Sequence, residues 1–120
     1  CSSIGTIRKH PEIFFRSKYP DFESLNQLQN SLLEKSSKLI NVRGKIIYMV
    51  CSFLYSETIG IVENFLKKNR NFSIERYNPN KEFYNLDNLI SKEGYFLTLP
   101  TKYKNFNIDG FFSVQLIRND

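Results

Sequence analysis

The chain has 120 residues, with 17 basic and 12 acidic side chains and a formal net charge of +5. That length holds one domain with one modest core. The 41% hydrophobic and 15% aromatic content is that of a globular chain, and no run of about 18 apolar residues could cross a membrane as a helix.

Two cysteines do not make a disulfide scaffold and fit a reducing, cytoplasmic compartment. The basic balance admits an anionic partner such as nucleic acid. The chain begins at Cys1 without a methionine and shows no signal peptide, as expected of a processed chain or a fragment. It has no internal repeat and no low-complexity tract.

Residues 1–21 lack helical periodicity and contain Gly5, Pro11 and Pro20. They read as a long ordered loop, and such loops usually carry function. Ser24 followed by Gln27 resembles a capping box and starts a helix. Leu25, Leu28, Leu32 and Leu39 give it one apolar stripe. Gly44 ends the connection. Residues 45–50 (Lys-Ile-Ile-Tyr-Met-Val) form a continuous apolar run, which predicts a strand covered on both faces, as in a parallel sheet.

Ser56 is placed to cap a second helix with a stripe of Ile59, Val62, Phe65 and Leu66. Gly60 inside that helix costs roughly 1 kcal/mol against alanine and predicts fraying. Residues 72–77 alternate like a strand. Residues 78–92 are polar, with Phe83, Tyr84, Leu86, Leu89 and Ile90 as anchors, and read as a long loop. Asp109-Gly110 reads as a turn into a last strand, residues 110–118, with Phe112, Val114 and Leu116 on one face.

The order is helix, strand, helix, strand, loop, strand. A helix ahead of a parallel strand normally crosses over from an earlier strand. The expected fold is therefore α/β: the carboxyl-terminal half of a doubly wound, mixed sheet with flanking helices, forming one partial domain over residues 1–120.

Cys1 and Cys51 each fall, on this reading, just past the carboxyl end of a strand, where open α/β sheets bind ligands. A free cysteine is equally at home as a small buried apolar residue. Two cysteines and one histidine fall short of a metal site. Arg8 and Lys9 are placed to meet phosphates or simply water, and His10 reads as a surface residue. Neither a P-loop nor a Gly-x-Gly-x-x-Gly is present. The aromatics read as core rather than as stacking platforms.

Residues 1–12 (Cys-Ser-Ser-Ile-Gly-Thr-Ile-Arg-Lys-His-Pro-Glu) resemble the Cys-Ser-Gly-Thr-Gly-x-x-Arg-Arg-His-Pro-Asp pattern of the Sun/Fmu (RsmB-like) family of RNA (cytosine-5) methyltransferases. Leu28-Gln29 with Leu32-Leu33 resembles that family's next helix. Residues 44–48, then Cys51-Ser52, resemble its strand leading into Thr-Cys-Ser. Leu99-Pro100 and residues 109–112 resemble its closing segment. The matches keep their order along essentially the whole chain.

The resemblance implies a Rossmann-like fold and methyl transfer from S-adenosylmethionine to carbon 5 of cytosine in RNA, 16S ribosomal RNA more than transfer RNA. It implies that Cys51 is the nucleophile at cytosine carbon 6 and that Cys1 serves release by elimination. Arg8, Lys9 and His10 would then contact the RNA around the target base. The sequence departs from the family at Val50 (Thr), at residues 56–58 (Ser-Glu-Thr for Glu-Glu-Asn), at Arg43 (one of two glycines) and at Ile13, Phe14 and Phe15, where a Trp is common. The glycine-rich cofactor loop and the Asp-Ala-Pro ahead of Cys1 have no counterpart here. S-adenosylmethionine is therefore expected to need the intact enzyme, and no cofactor-binding residue is assigned in this chain. The alternative expectation is a non-catalytic remnant that binds RNA or self-associates, for instance as a homodimer through an unpaired strand edge.

Overall fold

Asp21 opens the first long helix. Its carboxylate accepts from the Ser24 amide at 3.1 Å and the Ser24 hydroxyl at 2.7 Å, so helix α1 runs Phe22–Ser37. The cap is therefore Asp21, not Ser24: a side-chain oxygen one residue before the helix reaches the free amide of its third residue. The computed structural model describes residues 1–77 and 87–120. The loop expected over residues 78–92 falls outside them as far as residue 86.

The buried face of α1 also differs from the expected stripe. Leu33 is buried together with Gln29 and Ser37, whereas Leu28 and Leu32 are 56% and 55% exposed. Leu39 lies past the helix and is exposed as well. Gln29 turns inward because a buried carboxylate lies within its reach, as described below.

Strand β1 (Lys45–Val50) follows. Val50 is buried and Ile46 and Tyr48 pack on the core, while Ile47 and Met49 on the other face are more than half exposed. The expectation of a strand covered on both faces is corrected. Among the described residues β1 is an edge strand, and its one neighbour, β6 (Phe111–Arg118), is antiparallel, with Lys45 opposite Ile117 and Val50 opposite Phe112.

Helix α2 (Ile59–Lys68) carries the chain to β2 (Phe72–Glu75), which pairs antiparallel with the other edge of β6. Strands β1 and β2 are thus parallel to each other across β6. Ser56 does not cap α2. It lies in a short 3-10 turn, Tyr55–Glu57, and Thr58 holds the cap position. Gly60 fits the helix for a packing reason: a Cβ there would stand 2.9 Å from the Tyr55 carbonyl oxygen.

Strand β3 (Phe96–Thr98) continues along the edge of β6 beyond β2. A small hairpin of β4 (Lys102–Tyr103) and β5 (Phe106–Asn107) precedes β6. Neither β3 nor the hairpin was expected. The last strand was: Phe112, Val114 and Leu116 are wholly buried on the side that meets Leu33 of α1 and Ile61, Val62 and Phe65 of α2. Each such side chain contributes about 1.5–3 kcal/mol by leaving water. The result is a mixed α/β unit with both helices on one face of a four-stranded sheet.

Arg43, just before β1, has φ 64°, a left-handed conformation that L side chains rarely adopt. It occupies one of the two positions where the resemblance shows glycine. Arg43→Gly is expected to raise stability by about 0.5–1 kcal/mol, a few degrees in melting temperature. Thermal unfolding followed by circular dichroism reads this, and an unchanged or lower midpoint contradicts it.

Candidate active site

The amino-terminal loop is fastened to the carboxyl end of β1 by glycines. The Gly5 amide donates to the Cys51 carbonyl oxygen at 2.9 Å, and the Gly110 amide donates to the Gly5 carbonyl oxygen at 2.7 Å. A Cβ on Gly5 would stand 1.9 Å from the Gly110 carbonyl oxygen, so only glycine fits between the two strand ends. Ser3, two residues earlier, has φ 62° where the family pattern has glycine.

Beneath this joint lies Glu57, with no exposed surface. One carboxylate oxygen accepts from the Ser2 amide at 2.7 Å; the other accepts from the Ser2 hydroxyl and the Ser52 hydroxyl, each at 2.6 Å. Gln29 Nε2 reaches the first oxygen at 3.5 Å. The Ser52 hydroxyl also accepts from the Leu54 amide, and the Tyr48 hydroxyl donates to the Glu57 carbonyl oxygen. A buried carboxylate is tolerable only when its lone pairs are filled in this way.

Burial pushes the Glu57 carboxyl up, but the Ser2 and Ser52 hydrogen bonds outweigh it and hold the group below the ordinary glutamate value. Burial and the Glu57 charge together push the Tyr48 phenol upward, so it stays protonated as a donor.

Glu57 thus ties the residue after Cys1 to the residue after Cys51. Both cysteines are free thiols; Cys1 is exposed and Cys51 half-buried, directly past the end of β1. The chemistry two free thiols offer is nucleophilic; of the two, only Cys51 stands at a strand end, while Cys1 belongs to the amino-terminal loop. Sequence reasoning missed Glu57, Ser2 and Ser52. The available signal was that Glu57 coincides with the second Glu of the family's Glu-Glu-Asn.

The expected RNA-contacting residues lie in the same loop but have protein partners. Arg8 Nη2 is 3.2 Å from one oxygen of Asp109, and Lys9 Nζ is 3.0 Å from the other. These contacts hold the Asp109 carboxyl below its usual range, the Lys9 bond being the largest cause. His10 Nδ1 meets Glu12 at 2.9 Å on the surface. Such exposed pairs contribute about 0–1 kcal/mol each. Asp109→Asn is therefore expected to leave the melting temperature nearly unchanged. Thermal unfolding measures this, and a fall of more than a few degrees contradicts it.

Among the described residues no cluster of His, Cys, Asp or Glu could hold a metal ion. No helix among them is long and apolar enough to cross a membrane.

The family model for 16S rRNA methyltransferase RsmB/F matches residues 1–117. Ribosomal RNA small subunit methyltransferase B of Shewanella oneidensis is 28% identical over 123 aligned residues, covering 98% of this chain and 25% of that protein. The Thermus thermophilus protein of the same name is 33% identical over 79 residues, covering 66% of this chain and 20% of its own length. The crystal structure of PH0851 is similar with a TM-score of 0.78 and 27% identity, over 98% of this chain and 25% of that one. The chain therefore spans a quarter or less of the length of these proteins. A match over nearly every residue at that TM-score agrees with a portion of a Rossmann-like sheet.

Proposed function

The chain belongs to the 16S rRNA methyltransferase RsmB/F family, and from that premise we propose that it is the part of an RNA (cytosine-5) methyltransferase that carries the two working thiols. The observation that carries this reading is the Glu57 network, which joins the Cys1 loop to the Cys51 loop at the end of β1.

Carbon 5 of cytosine is a weak nucleophile. Addition of the Cys51 thiolate to carbon 6 forms an S–C bond and moves the ring's electron pair toward carbon 5; a sulfonium donor, when bound, would supply the methyl group to carbon 5 as its carbon–sulfur bond breaks, and would leave as a neutral thioether. Loss of the carbon 5 proton, assisted by Cys1, returns the electrons to the ring and expels the Cys51 thiolate. A base within structured RNA must leave its stack to reach such thiols.

The family implies S-adenosylmethionine as methyl donor, and the described residues do not make its site. Ribose hydroxyls call for a free carboxylate, but the Asp21 carboxylate beside Cys1 is committed to Ser24. Each described glycine packs against the chain's own atoms: Gly5 against the Gly110 carbonyl, Gly44 against Ile40, Gly60 against Tyr55, Gly94 (φ 101°) against Ile74 and Arg76, and Gly110 against Phe53. No donor-binding step is assigned to this chain.

Val50, Ser56 and Thr58 in place of the family's residues favour a second reading, a module that binds RNA without catalysis. One experiment separates the two. The chain is grafted into the Shewanella oneidensis protein in place of its matching quarter, and methyl transfer to carbon 5 of cytosine in 16S rRNA is measured. Transfer above an empty-vector background supports the enzyme; RNA binding by a folded graft without transfer overturns it and leaves the binding module.

A further inference from the structure

Residues 14–19 read Phe-Phe-Arg-Ser-Lys-Tyr. The 3-10 turn Pro11–Phe15 turns Ile13 inward, at 8% exposure, and leaves Phe14 and Phe15 at 65% and 85%. Tyr19 follows at 82%. Three ring side chains stand largely in water within six residues and forgo the stabilisation that burial would give. Arg16 and Lys18 between them are exposed and, among the described residues, form no ion pair, unlike Arg8 and Lys9, which share Asp109.

Two residues of the same segment, Arg16 and Lys18, line an open cavity of about 420 Å³. Its lining also includes Cys1 and Ser3, Leu28 of α1, and Asp21, whose carboxylate is held by Ser24. Its size is within the range of about 300–1,000 Å³ found for ligand clefts. Cations interleaved with exposed rings beside a cleft match the physical needs of a single nucleic-acid strand: phosphates pair with the cations while splayed bases stack on the rings.

We propose that residues 14–19 are a docking strip for single-stranded RNA, with Phe14, Phe15 and Tyr19 stacking bases and Arg16 and Lys18 holding the phosphates of nucleotides that flank the Cys1 cavity. This rests on the reading of RNA as the substrate, and it moves the principal RNA contact from Arg8, Lys9 and His10 to the segment after them.

The test uses the whole chain and a fluorescently labelled 12-nucleotide RNA, single-stranded or paired with its complement. Phe15→Ala and Tyr19→Ala are each expected to weaken single-strand binding about tenfold, since one stacked base contributes about 1–3 kcal/mol. Arg16→Gln with Lys18→Gln should lower the salt slope by about 1.4, or 0.7 per contact, whereas Arg8→Gln with Lys9→Gln should change it little. The chain has no tryptophan, so Tyr19→Trp adds a single reporter. Its emission should be quenched by the single strand and not by the duplex. All of these positions are exposed, so the variants should melt with the unaltered chain.

If the unaltered chain binds RNA and the ring and cation variants bind it equally well, the strip proposal is overturned while the methyltransferase reading stands. If the chain does not bind the single strand and the ring variants instead convert an associated species to monomer in sedimentation, the strip is a protein-contact surface and the proposal is equally overturned. Failure of the methyltransferase reading shows separately, as a folded graft that binds 16S rRNA and transfers no methyl group.

Discussion

Cys51→Ala in the grafted enzyme is expected to abolish methyl transfer, a loss of at least a thousandfold, and to form no covalent complex with RNA. Without the sulfur no bond forms at carbon 6, and carbon 5 keeps its low nucleophilicity. Cys1→Ala is expected to behave differently. Addition at carbon 6 survives, but removal of the carbon 5 proton is slowed, so a protein–RNA complex that withstands denaturing electrophoresis should accumulate. The two variants are structurally mild. Cys1 is exposed, and Cys51 is half-buried with its backbone carbonyl, not its sulfur, accepting from Gly5. Identical behaviour of the two variants on the gel contradicts the division of roles.

Glu57→Ala is expected to be the most destabilising change near the site. It removes the acceptor for the Ser2 amide, the Ser2 hydroxyl and the Ser52 hydroxyl at once. Each buried donor left unpaired costs about 1–3 kcal/mol, and some water will enter the space, so a loss of about 3 kcal/mol is expected. That is a large share of the roughly 5–15 kcal/mol that holds a domain of this size. Glu57→Gln keeps the shape and one acceptor oxygen and should lose less, about 1–2 kcal/mol.

The pH dependence has a definite sign. The folded-state value of Glu57 lies below the ordinary value of 4.5. The unfolded chain therefore takes up the proton first. The stabilisation is fully present above about pH 4.5 and is lost as the pH falls through the folded value. Urea unfolding between pH 7 and pH 3 should show a steeper acid loss in the unaltered chain than in Glu57→Gln. Parallel curves contradict an ionised Glu57 in the core.

Much of the fold was legible because its signals are local. The alternation of Phe112, Val114 and Leu116 marked β6, and the run ending at Val50 marked β1. The neighbours of β1 were not legible. A continuous apolar run reads as buried on both faces, yet Ile47 and Met49 stand exposed, and the partner strand lies some sixty residues later. Strand β3 is three residues long, too short for a pattern to show. The stripe of α1 was misread because Gln29 looks like a surface residue until Glu57, from another element, is placed beside it.

At the candidate site, the position of Cys51 just past the end of β1 was legible, and the roles expected of both cysteines came from the resemblance. What fastens their loops together was not. Gly5 had no visible reason to be glycine until the Gly110 carbonyl stood against it. Arg8 and Lys9 looked free to meet phosphate because Asp109, their partner, is a hundred residues away in sequence. Ion pairs of that kind leave no periodicity behind.

The most direct measurement is to map the protein atom that bonds to the substrate. The grafted enzyme is incubated with S-adenosylmethionine and 16S rRNA containing 5-fluorocytidine. With fluorine on carbon 5 there is no proton to remove, so the adduct stays on the protein. Digestion and mass spectrometry then locate it. A ribonucleotide mass on the peptide containing Cys51, absent from the one containing Cys1, is the expected result. The same mass on Cys1, or on no cysteine of this chain, would contradict the assignment of Cys51 as the nucleophile.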